Sequence, residues 1–336
     1  MDVYIWIITF CVYFPFIQTL TCKREEKCKI IRVHNMKGAD CYKMDLENFT
    51  QCLPSDVEII DLSHNRIRKL TETDLEKYSK LKMLYLHDNF LGVIDDESFK
   101  GKDYLQTIDL SKNGLTKLPL ELFNLPSLQT LYLGKNLNIN IVDAIEKVKP
   151  VTSPLFHLDI SYIMSEEPNE LPDLGVLPFL EKYNISGNKL LSTTTKHFAG
   201  LCRLKLLDTT NVSIESEQKC DCWTINRWLK NRNVKFTRFE CSISESECAY
   251  QVPLDDLQTY SKCQENVQEN LQKAKTKTIL LIVLPIVGVI VFVVLVYFIV
   301  RLRRQKRKQN KRIDHQSHEL MLTTDSAPPY DFIKKQ

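Results

Sequence analysis

A nine-residue phrase returns seven times between Val57 and Val212, and nothing else in the sequence restricts the fold so tightly. Its clearest copies are Val57-Glu-Ile-Ile-Asp-Leu-Ser-His-Asn65, Leu81-Lys-Met-Leu-Tyr-Leu-His-Asp-Asn89, Leu105-Gln-Thr-Ile-Asp-Leu-Ser-Lys-Asn113 and Leu128-Gln-Thr-Leu-Tyr-Leu-Gly-Lys-Asn136. Looser copies begin at Leu155, Leu180 and Leu204. A fixed period of this length marks a stacked array of similar coils. Positions 1, 4 and 6 of the phrase are apolar, and the last two, spaced by two, suit a short strand with one face inward. The asparagine at position 9 falls where the strand bends and its amides lose ladder partners. Its carboxamide is therefore expected to bond backbone groups of the adjacent turn. A second apolar marker follows eighteen residues after position 1, at Leu75, Phe99, Phe123 and Phe198. One coil cannot bury these faces alone, whereas seven stacked coils make a continuous core.

The copies decay toward the end. Ile163 and Val212 stand where asparagine belongs, Thr209 fills the third core position of copy seven, and Pro168, Pro172 and Pro178 follow copy five. Coils four and five are expected to be irregular, and coil seven to be a terminal one.

In spacing and content the phrases resemble the leucine-rich repeat, with its L-x-x-L-x-L-x-x-N-x-L pattern. That resemblance implies an α/β-type solenoid over residues 57–216, with a curved parallel β-sheet on the concave face and an irregular or short helical convex side. The open ends of such a solenoid need caps. Residues 22–56 carry Cys22, Cys28, Cys41 and Cys52, and residues 217–263 carry Cys220-Asp-Cys222-Trp223, Trp228-Leu229, Cys241, Cys248 and Cys263. The second set is similar to the C-terminal cap of extracellular leucine-rich-repeat proteins. The similarity implies the pairs Cys220–Cys241 and Cys222–Cys263. It leaves Cys202 and Cys248 outside the family pattern, with a bond between them as the open option. The N-terminal spacing departs from the family's tight Cys-x3-Cys-x-Cys, so pairing there is undetermined. A zinc site is the competing use of clustered cysteines.

Sidedness decides against zinc. An apolar stretch from Val3 to Phe16, followed by small residues at Thr19 and Thr21 before Cys22, reads as a signal peptide over residues 1–21, although Asp2 makes a weak n-region. Thr278 to Val300 is uncharged and long enough to span a bilayer as one transmembrane α-helix. Arg301 to Arg312 is strongly basic, against only Lys273, Lys275 and Lys277 on the other flank, which places residues 301–336 in the cytoplasm. Beside an uncharged span the basic run reads as a stop-transfer block touching lipid rather than a nucleic-acid site. All ten cysteines beyond the signal lie before the span, as do the sequons at Asn48, Asn184 and Asn211. Disulfides in an oxidising compartment follow. The expected chain is a type I plasma-membrane protein, with a juxtamembrane stalk over residues 264–277.

No catalytic, cofactor or metal motif is visible: there is no G-x-S-x-G, H-E-x-x-H, P-loop or G-x-G-x-x-G, and His64, His87 and His157 are expected to face solvent. The whole order of segments resembles single-pass extracellular leucine-rich-repeat adhesion molecules and receptors. An extracellular protein ligand or partner ectodomain is the expected partner. The concave face, formed by positions 3, 5, 7 and 8, is the candidate surface, and position 5 reads Asp61, Tyr85, Asp109, Tyr132, Asp159, Asn184 and Asp208. Glycans on Asn184 and Asn211 would cover its C-terminal part, which directs a ligand to Tyr85, Asp109 and Tyr132. Asp-Leu-Ser at this place is also common filler of the repeat. In the tail, Tyr330-Asp-Phe-Ile333 after Pro328-Pro329 fits a sorting signal for an endocytic adaptor, and equally a phosphotyrosine site for an SH2-type protein. The second option makes the chain a signalling receptor, with immunity as one setting. The polar stretch before it reads as disordered.

Overall fold

The computed structural model describes residues 28–137, 139–164, 168–215, 220–242 and 244–324, with side chains described as far as Ile313. The expected signal peptide, Cys22, and the Tyr330–Ile333 motif lie outside the described residues. The chain divides into two compact units, one ending at Val267 and one beginning at Gln268.

The first unit is built on one ten-stranded sheet. Strands β1 (Lys29–Val33) and β2 (Met36–Asp40) form an antiparallel hairpin, with His34 and Asn35 in left-handed conformations at its tip. Seven three-residue strands then follow, each taken from positions 3 to 5 of a phrase: β3 (Ile59–Asp61), β4 (Met83–Tyr85), β5 (Thr107–Asp109), β6 (Thr130–Tyr132), β7 (His157–Asp159), β8 (Lys182–Asn184) and β9 (Leu206–Asp208). All pair in parallel, and like positions face like positions throughout. Strand β10 (Lys235–Phe236) of the C-terminal cap closes the far edge, parallel to β9.

The core is the one the phrase dictates. Positions 1, 4 and 6 of the first six coils are buried, and the second marker makes a spine of Leu75, Phe99, Phe123 and Phe198, all fully buried. Between coils runs a ladder of asparagine side chains. Nδ2 of Asn89 donates to the carbonyl of Leu86 in its own coil (3.1 Å) and to that of Leu62 in the coil before (3.0 Å). Its Oδ1 accepts the Ile67 N–H at 3.1 Å. Asn65, Asn113, Asn136 and Asn188 repeat the arrangement.

Ile163 interrupts the ladder, and the irregularity expected of coil four appears there. After Asn136 the chain departs into helix α1 (Ile141–Val148), which buries Ile141, Ala144 and Ile145 and is capped by Asn140 Oδ1, which accepts the Asp143 N–H. A second, four-residue helix, α2 (Lys196–Ala199), carries Phe198 into the spine.

The C-terminal cap corrects the disulfide pairing implied by family resemblance. Cys220 pairs with Cys248, Cys222 with Cys241 and Cys202 with Cys263, with Cα separations of 5.3, 5.6 and 5.8 Å. Neither Cys220–Cys241 nor Cys222–Cys263 forms, and Cys202 does not meet Cys248. The reason lies in two helices. Helix α3 (Asp221–Asn231) buries Cys222 beside the segment that its own Asn226 fastens, where Asn226 Nδ2 donates to the Phe239 carbonyl and Asn226 Oδ1 accepts the Phe239 N–H, each at 3.0 Å. Cys241 follows two residues later. Cys263 sits instead on α4 (Leu254–Thr324), whose first turns pack against the return of coil six, where the Thr195 hydroxyl donates to Asp256 Oδ2. Arg232 locks the two together: its guanidinium donates to the carbonyls of Phe198 and Leu201 and lies over the rings of Trp228 and Tyr260. At the N-terminal end Cys28 pairs with Cys41, and Cys52 is also disulfide-bonded.

The second unit consists of the remainder of α4. The helix is long and apolar enough to cross a membrane, and every side chain from Thr278 to Val300 is exposed, with Pro285 inside the helix. It begins at Leu254 and continues to Thr324, so the segment expected as a juxtamembrane stalk, 264–277, is helical, and so is the described part of the polar stretch expected to be disordered before Tyr330.

Two outcomes are expected. Asn89→Ala leaves the buried Ile67 N–H without its acceptor and takes one of two side-chain donors from each of the Leu62 and Leu86 carbonyls, and lowers stability by about 2–3 kcal/mol, read as a reduced urea midpoint; an unchanged midpoint would show that the ladder does not stabilise the stack. Peptide mapping of the unreduced chain yields the linked pairs 220–248, 222–241 and 202–263, and recovery of a 220–241 peptide would refute this cap.

Candidate binding surface on the repeat sheet

The outward row at position 5 is a continuous ladder, because register brings Asp61 beside Tyr85, Tyr85 beside Asp109, Asp109 beside Tyr132 and Tyr132 beside Asp159. Its acids have a local task. Oδ1 of Asp61, Asp109, Asp159 and Asp208 accepts the N–H two residues on, at Ser63 (2.9 Å), Ser111 (2.9 Å), Ser161 (2.8 Å) and Thr210 (3.0 Å), and Asn184 Oδ1 does the same for Ser186. Such side-chain turns satisfy the backbone as it leaves a strand. The recurrent Asp-Leu-Ser is thus explained by the fold.

Tyr85 and Tyr132 are not explained that way. A phenol at position 5 cannot accept that local N–H as a carboxylate does, so the two tyrosines replace a capping group with contact area. Both are half-buried. Burial pushes both phenols above their usual range, and neighbouring carboxylates push further: Asp61 and Asp109 for Tyr85, Asp109 and Asp159 for Tyr132. The hydroxyls therefore stay neutral and able to donate. Tyr132 packs edge-on against His157 at 4.9 Å, and Tyr85 Oη lies 3.5 Å from Met83 Sδ. Burial also holds His157 below its ordinary value, against the pull of Asp159. The stripe of Tyr85, Asp109 and Tyr132 is thus brought together as the sequence predicts, with rigid aromatic surface beside acceptor-only oxygens.

Position 8 carries a constraint that the sequence reading missed. His64, Asp88, Lys112, Lys135, Tyr162, Gly187 and Asn211 all have φ between 52° and 68°. The chain must enter the left-handed region there to turn off the sheet, which costs a side-chain-bearing residue. Stacked rim contacts accompany the turns. Lys135 lies over the Tyr162 ring, and that ring covers Gly187, where a Cβ would come within 2.2 Å of it. At the other end His64 and His87, both half-buried rather than free in solvent, stand edge-to-face at 5.3 Å. The signal available in the sequence was partial: Asp88, Gly187 and Asn211 tolerate that region readily, whereas His64, Lys112, Lys135 and Tyr162 conceal it.

The three sequons sit differently. Asn48 and Asn211 are exposed. Asn184 is half-buried on β8, and its Nδ2 donates to Asp159 Oδ2 at 3.1 Å.

Residues 79–137 match the family model described as leucine rich repeat. Among curated proteins, Tsukushi of Gallus gallus is 30% identical over 142 residues, covering 42% of this chain and 38% of that protein. Lumican of Gallus gallus is 34% identical over 113 residues, covering 33% of this chain and 32% of that protein. Toll-like receptor 2 type-1 of Gallus gallus is 34% identical over 101 residues, 30% of this chain and 13% of that protein. The chain thus spans less than half the length of each of these relatives. With coils two and three and the start of coil four matching the repeat in sequence, and all seven coils stacking on one parallel sheet, the chain carries leucine-rich repeats and has the architecture of a leucine-rich-repeat solenoid.

Proposed function

We propose that this chain is a non-catalytic, cell-surface protein-binding molecule, held in the plasma membrane by one span with its repeats outside, and acting in adhesion or as a receptor or co-receptor. Four disulfides among the described residues support an oxidising compartment. The exposed apolar stretch of α4 and the basic run after it support the span and its direction. The likeness to Tsukushi, lumican and a Toll-like receptor supports a repeat surface that meets other proteins.

The observation that carries the reading is the pair Tyr85 and Tyr132, set where the fold itself calls for an acid. Two rigid aromatic anchors on either side of Asp109 suit a protein partner that brings a lysine or arginine between them. A glycan on the exposed Asn211 would shield the far coils and leave coils one to four open. The tail supports a second reading, in which Tyr330 and Ile333 recruit an endocytic adaptor or, once Tyr330 is phosphorylated, an SH2-type protein of a signalling receptor.

Cells displaying the full chain, screened against a library of ectodomains, supply the partner. Tyr85→Ala with Tyr132→Ala then weakens its binding by about tenfold or more at unchanged surface level, whereas Leu206→Ala at the far end of the sheet leaves it intact. The reverse pattern would move the site to coil seven and sink the proposal. Homotypic cell aggregation with a silent screen would make the partner a second copy. Tyr330→Phe separates the tail readings: lost signalling at constant surface level favours the receptor, and slowed internalisation alone favours the sorting signal. Glycopeptide mass spectrometry is expected to find Asn48 and Asn211 occupied and Asn184 the least occupied, because its amide is already bonded within the sheet.

A further inference from the structure

Three side chains at the rim of coils one and two converge in a way the protein-binding reading does not use. His64, His87 and Asp88 each offer a ligand atom, and these atoms all lie within 4.8 Å of one another. His64 Nδ1 is 3.1 Å from Asp88 Oδ2. Two ligand atoms placed tetrahedrally about 2.0–2.1 Å from one zinc ion stand about 3.3 Å apart, so this direct contact needs to open only slightly to share an ion.

The third ligand is oriented from behind. His87 Nδ1 lies 2.7 Å from Ser111 Oγ, and Ser111 Oγ donates its hydrogen to Asp109 Oδ1. A hydroxyl has one hydrogen. With that hydrogen committed to a carboxylate, Ser111 Oγ must accept from His87, so Nδ1 carries the imidazole proton and Nε2 keeps its lone pair. A carboxylate–hydroxyl–imidazole chain of this kind fixes the tautomer and ring orientation that a metal ligand needs. The backbone helps as well: His64 and Asp88 occupy successive left-handed turns at φ 57° and 55°, and the coil stacking holds those turns next to each other.

The rival reading is an ordinary charged rim. In it His64 itself pairs directly with Asp88, and Lys112 is the competing cation, with Nζ 3.7 Å from Asp88 Oδ2. An ammonium at that distance serves the carboxylate and does nothing for the ordered lone pair on His87. We therefore propose that His64, His87 and Asp88 form a zinc site, with Ser111 and Asp109 as positioning residues. Two imidazoles and one carboxylate suit zinc, whereas calcium and magnesium require mostly oxygen ligands. Three protein ligands leave the ion's fourth position to water or to an incoming donor.

The test is calorimetric titration of the full chain, purified in detergent and stripped with EDTA, with zinc chloride and in parallel with calcium chloride. Zinc is expected to bind and calcium not to. His64→Asn with His87→Gln should abolish that binding while the thermal midpoint in EDTA stays at the wild-type value. Ser111→Ala, which touches no metal, should weaken zinc by about tenfold to a hundredfold. If the double variant does not fold, Asp88→Asn and Ser111→Ala decide, since asparagine tolerates the left-handed turn. Absence of zinc binding by the wild type, an unchanged zinc isotherm in the folded double variant, or equal affinity for calcium would each overturn the assignment.

Discussion

A coil that turns off a strand leaves buried carbonyls and amides without strand partners, and in this protein one carboxamide per coil answers for them. Asparagine suits the task because it donates and accepts from the same planar group. Asn89 reaches the Leu86 and His87 carbonyls of its own coil and, in the coil before, both a carbonyl and an N–H. The bond is therefore a property of the stack: no coil completes its own hydrogen bonding, and each depends on its successor. This is what gives a quasi-one-dimensional array its cooperativity beyond apolar burial. Coil five shows the converse. With Ile163 at position 9, the chain following Asn136 receives no carboxamide from its successor, and it is there that helix α1 replaces the usual return.

Much of this was legible in the sequence, because a period repeated seven times leaves little freedom of phase. The strand positions, the buried residues at 1, 4 and 6, the spine through Phe99, Phe123 and Phe198, and the role of the asparagines all follow from the phrase. What lies outside the phrase was not legible. The hairpin of β1 and β2 has no repeat to set its register, although it is what starts the sheet. The cap cysteines were read through a family pattern in which the two close cysteines bond to two later ones. That pattern does not account for Cys263 riding on a helix that begins at Leu254 and packs against the end of coil six, next to Cys202. With Cys263 removed from reach, Cys241 and Cys248 become the partners of Cys222 and Cys220.

The same division runs through the surface. The sequence picked out Tyr85, Asp109 and Tyr132, and register does set them side by side. It could not say which of these residues the fold already requires. The structure separates them: the aspartates of position 5 close the backbone turn at Ser63, Ser111, Ser161 and Thr210, so their recurrence carries no message about a ligand by itself. Asp109 is the instructive case. It is needed for its own turn, it raises the phenols on both sides, and through Ser111 it orders the ring of His87.

In the sequence His64 and His87 stand as two separate surface histidines, since no local motif links residues that far apart. Only the coil spacing brings position 8 of one coil against positions 7 and 8 of the next. A solenoid in general hides its side-chain constellations from a linear reading in this way: neighbours on successive coils are separated by about one period rather than by the short spacings that metal and catalytic motifs use. The proper unit for reading such a chain is therefore the column, one phrase position followed through successive coils. Read by column, position 5 gives Asp-Tyr-Asp-Tyr-Asp and position 8 begins His-Asp-Lys-Lys. Both columns depart from what the backbone alone requires within the first four coils, and that is where binding chemistry can be carried without loss of the stack.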